Sequence, residues 1–541
     1  MTTPKVRVPA LVTVALLGAL SAVPVAAHDP ADGGGQLGKV AFKVDCNATA
    51  QREFNLAMAY YHSFAWGHVD EPLKRVMAAD PSCGMAHWAR VLGSLDNPFA
   101  WPGNVSAKTL AEGLAGLEAA RAAGLKSQRE RDYVDALAVF FKDHDKLNHR
   151  TRAKAFEVAM EQVAQRYPDD TEALTLYALV LSANFDPTDK QYTNQLKAAT
   201  LLEPIFRAQP EHPGVAHYLI HSYDYPPLAQ KGLDAARRYA RIAPGAAHAQ
   251  HMPSHIFTRV GAWKDSVEAN AASARSDTAQ GFNSLHAFDY MVYAHLQLGQ
   301  EAAARKVMHE AFAIAKKTDH FASAYAYAAI PARLALERGA WAEASGLELA
   351  PSAGAYPWTK YPQAEAVNAF ARGVGAAASK DSARAMAEVS RLQQLRDAAT
   401  ALKLGYWAEQ IDIQSVVVRG LATLAAGEAD NGIELLRQAA AREDATEKHV
   451  VTPGPILPSR ELLAQALLEN RKPADALREY EAVLLKEPNR FRATAGAAVA
   501  AERSGDTRKA RLFHAKVIEL AASADGTRPE VADAKRYLAR S

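Results

Sequence analysis

From about residue 46 onward, apolar side chains recur every three or four positions almost to the C-terminus, and the short breaks carry Pro, Gly, Asp or Asn. That period belongs to helices with one buried face. No stretch alternates β-branched and polar residues convincingly, so the pattern predicts an all-α chain. Ser127-Gln128-Arg129-Glu130 reads as a capping box that opens one helix, and Asp80-Pro81 ends an early one. Gly261, Gly299, Gly339, Gly427 and Gly505 read as turns between paired helices. They are unevenly spaced, which implies that later units are stretched or carry insertions. The segments 96–105, 348–362 and 442–458 read as loops, rich in Pro, Gly or aromatic residues.

The breaks also repeat. Pro210 and Pro244 each end a helix, and their separation matches the length of one tetratricopeptide (TPR) helix-turn-helix repeat, about 34 residues. Near the C-terminus, Ala476, Tyr480, Val483 and Pro488 supply the small, large, small and helix-stopping positions of one such unit, and Ala510, His514 and Val517 follow one period later. The small residue lets the two helices approach, and the large one fills the gap to the next unit. The expected architecture is a right-handed α-solenoid of about ten to twelve TPR-like helix pairs, divided into an N-terminal array over 46–347 and a C-terminal array over 348–541.

The same period organises the candidate chemistry. His217 and His221 are four positions apart, as are His251 and His255, and the second pair follows the first by one full repeat. A spacing of four puts two side chains on one helix face. With Pro210 and Pro244 as unit ends, both pairs occupy equivalent positions on neighbouring helices, about 8–10 Å between axes. Asp224 falls on the same first helix and His248 at the start of the second. Aligning a third unit on Gly299 places His286 beside the His248 column, and Asp289 and Tyr293 beside the paired columns. The expected ligand set is therefore His217, His221, His251 and His255, with Asp224, Asp289 and His248 as further ligands. Imidazole with carboxylate and no neighbouring thiolate suits a divalent transition metal: zinc, iron, manganese or copper. Pro253 interrupts the second helix between its two histidines, so that helix is kinked there or restarts near Met252.

Composition narrows the picture further. A net charge of +2 over 541 residues offers no basic surplus for nucleic acid. Lys5 and Arg7, an apolar run from Val8 to Val25 and the small residues Val25-Ala26-Ala27 read as a cleaved secretory signal over 1–27, with a flexible leader over 28–45. The expected location is the periplasm or the cell exterior, and no later segment is long and apolar enough to span a bilayer. The only cysteines, Cys46 and Cys83, are either one disulfide or two free thiols; each falls just before a predicted helix, and an oxidising compartment favours the bond. Tyr60, Tyr61, His62, Phe64, Trp66 and His68 form an aromatic cluster read as core packing. The Thr452-Pro453-Gly454-Pro455 segment is read as a rigid loop without chemistry. No P-loop, His-Glu-x-x-His or Gly-x-Ser-x-Gly motif is present.

Phe54 to His62 with Asp80-Pro81-Ser82-Cys83, the two histidine pairs within His217-x-x-x-His221 and His248-Ala-Gln-His251-Met-Pro-Ser-His255, and Thr452-Pro-Gly-Pro with Arg460-Glu461 resemble a group of secreted bacterial TPR proteins. The resemblance implies the TPR fold and brings no assigned reaction with it. Two functions are expected from the residues: a metal-binding protein, extending to a metal-dependent enzyme, or a scaffold that binds a peptide or envelope protein in its groove.

Overall fold

The computed structural model describes Met1 and residues 36–101, 105–277 and 281–540. The signal-peptide segment after Met1 and residues 28–35 of the leader lie outside the described residues. Among the described residues every regular element is a helix, from Ala48–His62 to Pro529–Arg540. Consecutive helices pack on one another in chain order: Pro362–Ala378 against Ser382–Ala401, that against Gly405–Ala425, and that against Ala429–Asp444. The helix starts at Pro213 and Ala247 differ by one repeat (247 − 213 = 34), and those at Pro473 and Thr507 differ by the same amount (507 − 473 = 34). The array of helix pairs is thus built on the period read from the sequence.

The repeat positions do what their sizes require. Ala476, Tyr480, Val483, Ala510, His514 and Val517 are all buried. Tyr480 lies against Gly496 of the next helix so closely that a Cβ there would meet the ring at 2.2 Å. The five turn glycines all adopt positive φ. Gly261 (φ 70°) shows why: a Cβ at this turn would sit 2.2 Å from the Pro488 carbonyl oxygen. Asn489 donates its amide to the Gly261 carbonyl at 3.1 Å, and the Trp263 indole donates to the Asn489 carbonyl at 2.8 Å. Turns from the two halves of the array therefore meet directly.

One expectation changes. Residues 36–45 are not a free leader: Leu37, Phe42 and Val44 are buried, and Phe42 packs on Phe54, Trp88 and Tyr133. These apolar anchors bury more surface than a polar tail would, so the segment docks. Ser459 opens the helix Ser459–Glu469, and its N–H and hydroxyl donate to the Glu443 carboxyl at 2.9 and 2.8 Å.

Cys46 and Cys83 form a disulfide across a sequence separation of 37. It ties the start of the Ala48–His62 helix to the start of Gly84–Ser94. Loop closure of this length contributes about 3–4 kcal/mol by constraining the unfolded chain. A Cys46→Ala/Cys83→Ala variant is expected to unfold at lower urea concentration by that amount. Reduction of the wild-type protein should reproduce the shift, and identical curves with and without reductant would refute it.

Candidate metal centre

The histidines are carried by the first helices of three successive repeats. Pro213–Tyr223 starts with proline at its first turn and is capped by His212, whose Nδ1 accepts the Val215 N–H. The corresponding helix one repeat later runs Ala247–His251, passes Met252 in helical conformation, and restarts as Pro253–Arg259 with Pro253 at the first position. Pro253 thus splits the helix without redirecting it, and His251 and His255 stay on one face. The third element is Phe282–Gln297.

The imidazoles converge as two triads. His217, His221 and His248 form one; His251, His255 and His286 form the other; within each, the ligand nitrogens lie within 4.8 Å of one another. The second triad is the first advanced by one repeat: 251 − 217 and 255 − 221 are both 34, and 286 − 248 is 38. His217, His221, His251 and His255 are buried, whereas His248 and His286 are partly exposed.

Hydrogen bonds fix which nitrogen each ring presents. Asn270 donates its amide to the Ser266 carbonyl, so its Oδ1 accepts from His251 Nδ1 at 2.6 Å. Asp224 Oδ2 accepts from His255 Nδ1 at 2.8 Å. Both rings therefore carry their proton on Nδ1, and their bare Nε2 atoms face each other at 3.0 Å. Likewise His217 donates Nδ1–H to the His62 carbonyl at 2.7 Å and turns Nε2 towards His248 Nε2 at 3.1 Å. His221 Nε2 is buried with no hydrogen-bond partner. Two imidazole nitrogens on one tetrahedral ion, each at 2.0–2.1 Å, would be about 3.4 Å apart, close to these separations.

A proton is a poor substitute for an ion between such nitrogens. Burial pushes His217, His221 and His251 well below the usual imidazole range, and neighbouring imidazoles push the same way. Burial also lowers His255, against the opposing pull of Asp224.

Asp224 serves as an orienting carboxylate. Its Oδ1 accepts from Arg259 at 2.8 Å, and its Oδ2 takes both His255 and Lys448, the latter at 3.1 Å. Burial alone would raise this carboxyl, but Lys448, Arg259 and His255 hold it well below its ordinary value. Carboxylate–histidine pairs of this kind orient metal-binding imidazoles. Asp289, expected among the ligands, stands apart: its carboxylate is paired with buried Arg333 at 2.8 and 3.4 Å. The guanidinium reaches both of its oxygens, and Asp289 is not among the residues whose ligand atoms converge in the two triads.

Several participants were not singled out from the sequence. His286 completes the second triad; its place in the His248 column was visible, and it was not carried into the expected set. Phe64, read as core, meets His217 edge-on at 4.3 Å and stacks on His248 at 5.2 Å, and Phe99 stacks on His221 at 3.9 Å. Glu172 bridges His62 at 3.1 Å and His212 at 2.9 Å, and His62 Nδ1 is bonded to the Tyr218 hydroxyl. Every nitrogen of this third group is used within the protein, so it braces the His62 carbonyl that orients His217. The Thr446–Pro458 segment packs on these helices: Tyr290 donates to its Val450 and Thr452 carbonyls, Arg333 to its Gly454 and Pro455 carbonyls, and Lys448 reaches Asp224.

No protein-family model matches the chain, and no curated protein matches it. Among solved structures, it is similar to a chain of the APC/C hetero-tetramer Cut9–Hcn1, at 11% identity and a TM-score of 0.29 with 90% of each chain covered. It is also similar to a chain of Naa15/Naa10 bound to HypK-THB, at 11% identity and a TM-score of 0.25, covering 91% of this chain and 74% of that one.

Proposed function

We propose that this chain is an exported TPR-type protein whose two histidine triads bind divalent transition metal ions. One observation carries the reading: His251 and His255, each with its proton fixed on Nδ1, aim bare Nε2 atoms at each other across 3.0 Å in a buried site. Two lone pairs so placed repel unless a cation lies between them. Three neutral imidazoles per ion match the ligand set of zinc sites that keep a fourth position open. A water there would have a lowered pKa and would serve hydrolysis of an ester, amide or phosphate. Scaffolding of a peptide or envelope protein is the other expected role, but the Thr446–Pro458 segment already covers one side of these helices.

Metal analysis by mass spectrometry on protein exported in its own host tests the reading. Two equivalents of one transition metal are expected, and a His217→Ala/His251→Ala variant should lose both. Asp224→Asn, which frees His255 to turn, should weaken metal affinity by about 10- to 100-fold while the ion count at saturation stays the same. Absence of metal from the native protein and after reconstitution would refute the proposal.

A further inference from the structure

We infer that the two triads form one dinuclear centre, and that its ligand is an oxyanion of the phosphate type that bridges the two ions. This rests on the metal-binding reading above and adds to it a ligand class.

The first argument is adjacency. The triads do not sit in separate pockets but share a wall of rings. His221 faces His255 with ring centroids 6.1 Å apart, and His248 faces His251 at 6.2 Å. His286 of the second triad packs on both His251 and His255, at 4.4 and 6.4 Å. No other side chain needs to be crossed between one triad and the next at these contacts.

The second argument is charge. All six ligands are neutral imidazoles, so two divalent ions would bring about four positive charges into a site whose ligands cancel none of them. The only carboxylate bonded to a ligand ring among the described residues is Asp224, and it is already shared by Arg259 and Lys448, at 2.8 and 3.1 Å. That carboxylate with its two cations is net positive. Metal sites that include carboxylates or thiolates neutralise their ions internally; this one must take its counter-charge from outside, and an anion with several oxygens can give one to each ion.

The third argument is access. Each triad has one residue that keeps partial exposure, His248 in the first and His286 in the second, while the other four are buried. These two residues hold matching places in their triads, so each ion would be reached past the corresponding histidine.

The test uses the full chain with cobalt(II) as the probe metal and inorganic phosphate as the probe anion. Cobalt absorbance is titrated first to one and then to two equivalents, and phosphate is added at each stage. The expected result is binding of two cobalt ions, with phosphate perturbing the spectrum at least tenfold more tightly in the two-cobalt protein than in the one-cobalt protein. Phenyl phosphate in a parallel titration separates an ester ligand from the free ion. His286→Asn should lose the second cobalt and at least tenfold in phosphate affinity, with near-ultraviolet circular dichroism reporting its fold. Two bound cobalt ions with phosphate affinity indifferent to the second would overturn the bridged centre alone. No bound cobalt would overturn the metal reading and this inference together.

Discussion

Metal-free protein moved from pH 7.5 to pH 5.5 is expected to lose on the order of 4 kcal/mol of folding stability through three histidines. His217, His221 and His251 are at most 5% exposed, and burial, reinforced by neighbouring imidazoles, depresses each well below 6.5. In the unfolded chain the same rings take up protons below about 6.5, whereas the folded rings stay neutral. The unfolded state therefore binds more protons as pH falls, and stability is full above 6.5 and lost below it, by about 1.4 kcal/mol per ring over this interval. Glu443 acts in the opposite direction: burial raises it to about 7, so acidification favours its folded form. The loss should accordingly be larger in a Glu443→Gln background. Urea denaturation with chelator present, at both pH values, measures it. Stability that stays level across the interval in both backgrounds would mean that the buried rings accept protons in place.

Arg490→Met is expected to be the most destabilising single substitution outside the histidine cluster, by about 3–5 kcal/mol. Arg490 is fully buried and contacts Glu337 at 2.7 Å, Glu461 at 2.6 Å and Glu487 at 3.7 Å. It also donates to the Tyr293 hydroxyl at 3.0 Å. Contact with Glu337 is a charge contact without an aligned hydrogen bond, because Glu337 Oε1 has no such partner. Removing the guanidinium leaves three carboxylates facing one another, with Arg492 still bonded to Glu461. Pairing Arg490→Met with Glu337→Gln should recover part of the loss, since one of the orphaned charges is then absent. Thermal and urea unfolding of the single and double variants test this. A double variant no more stable than the single one would show that Glu337 is not part of the charge balance.

Much of the fold could be read because its rules are local. Helical periodicity, the turn glycines and the one-repeat spacing of Pro210 and Pro244 depend on nearest neighbours, and the helices at Pro213 and Ala247 start where that spacing puts them. The histidine columns were legible for the same reason: equivalent positions in adjacent repeats must be adjacent in space. What could not be read depends on partners far apart in sequence. Asp289 shares its column with His217 and His251, but Arg333, far along the chain on another helix, claims it. Asp224 follows the helix of His217 and His221, and Lys448, in the opposite half of the chain, shares its oxygen with His255. Phe64 and Glu172 carry no period that links them to His217, so only the folded chain could place them there.

The one-repeat offset between the triads behaves like a ladder with identical rungs. Each rung needs a His-x-x-x-His pair in the first helical stretch of one repeat and a single histidine near the start of that of the next repeat. Continuing upwards, the next rung would use positions 289 and 293, and there the chain has Asp289 and Tyr293, bound to Arg333 and Arg490. Two residue choices on one face thus replace a row of neutral imidazoles with a buried ion pair and a tyrosine hydroxyl that accepts from an arginine, and no third rung follows.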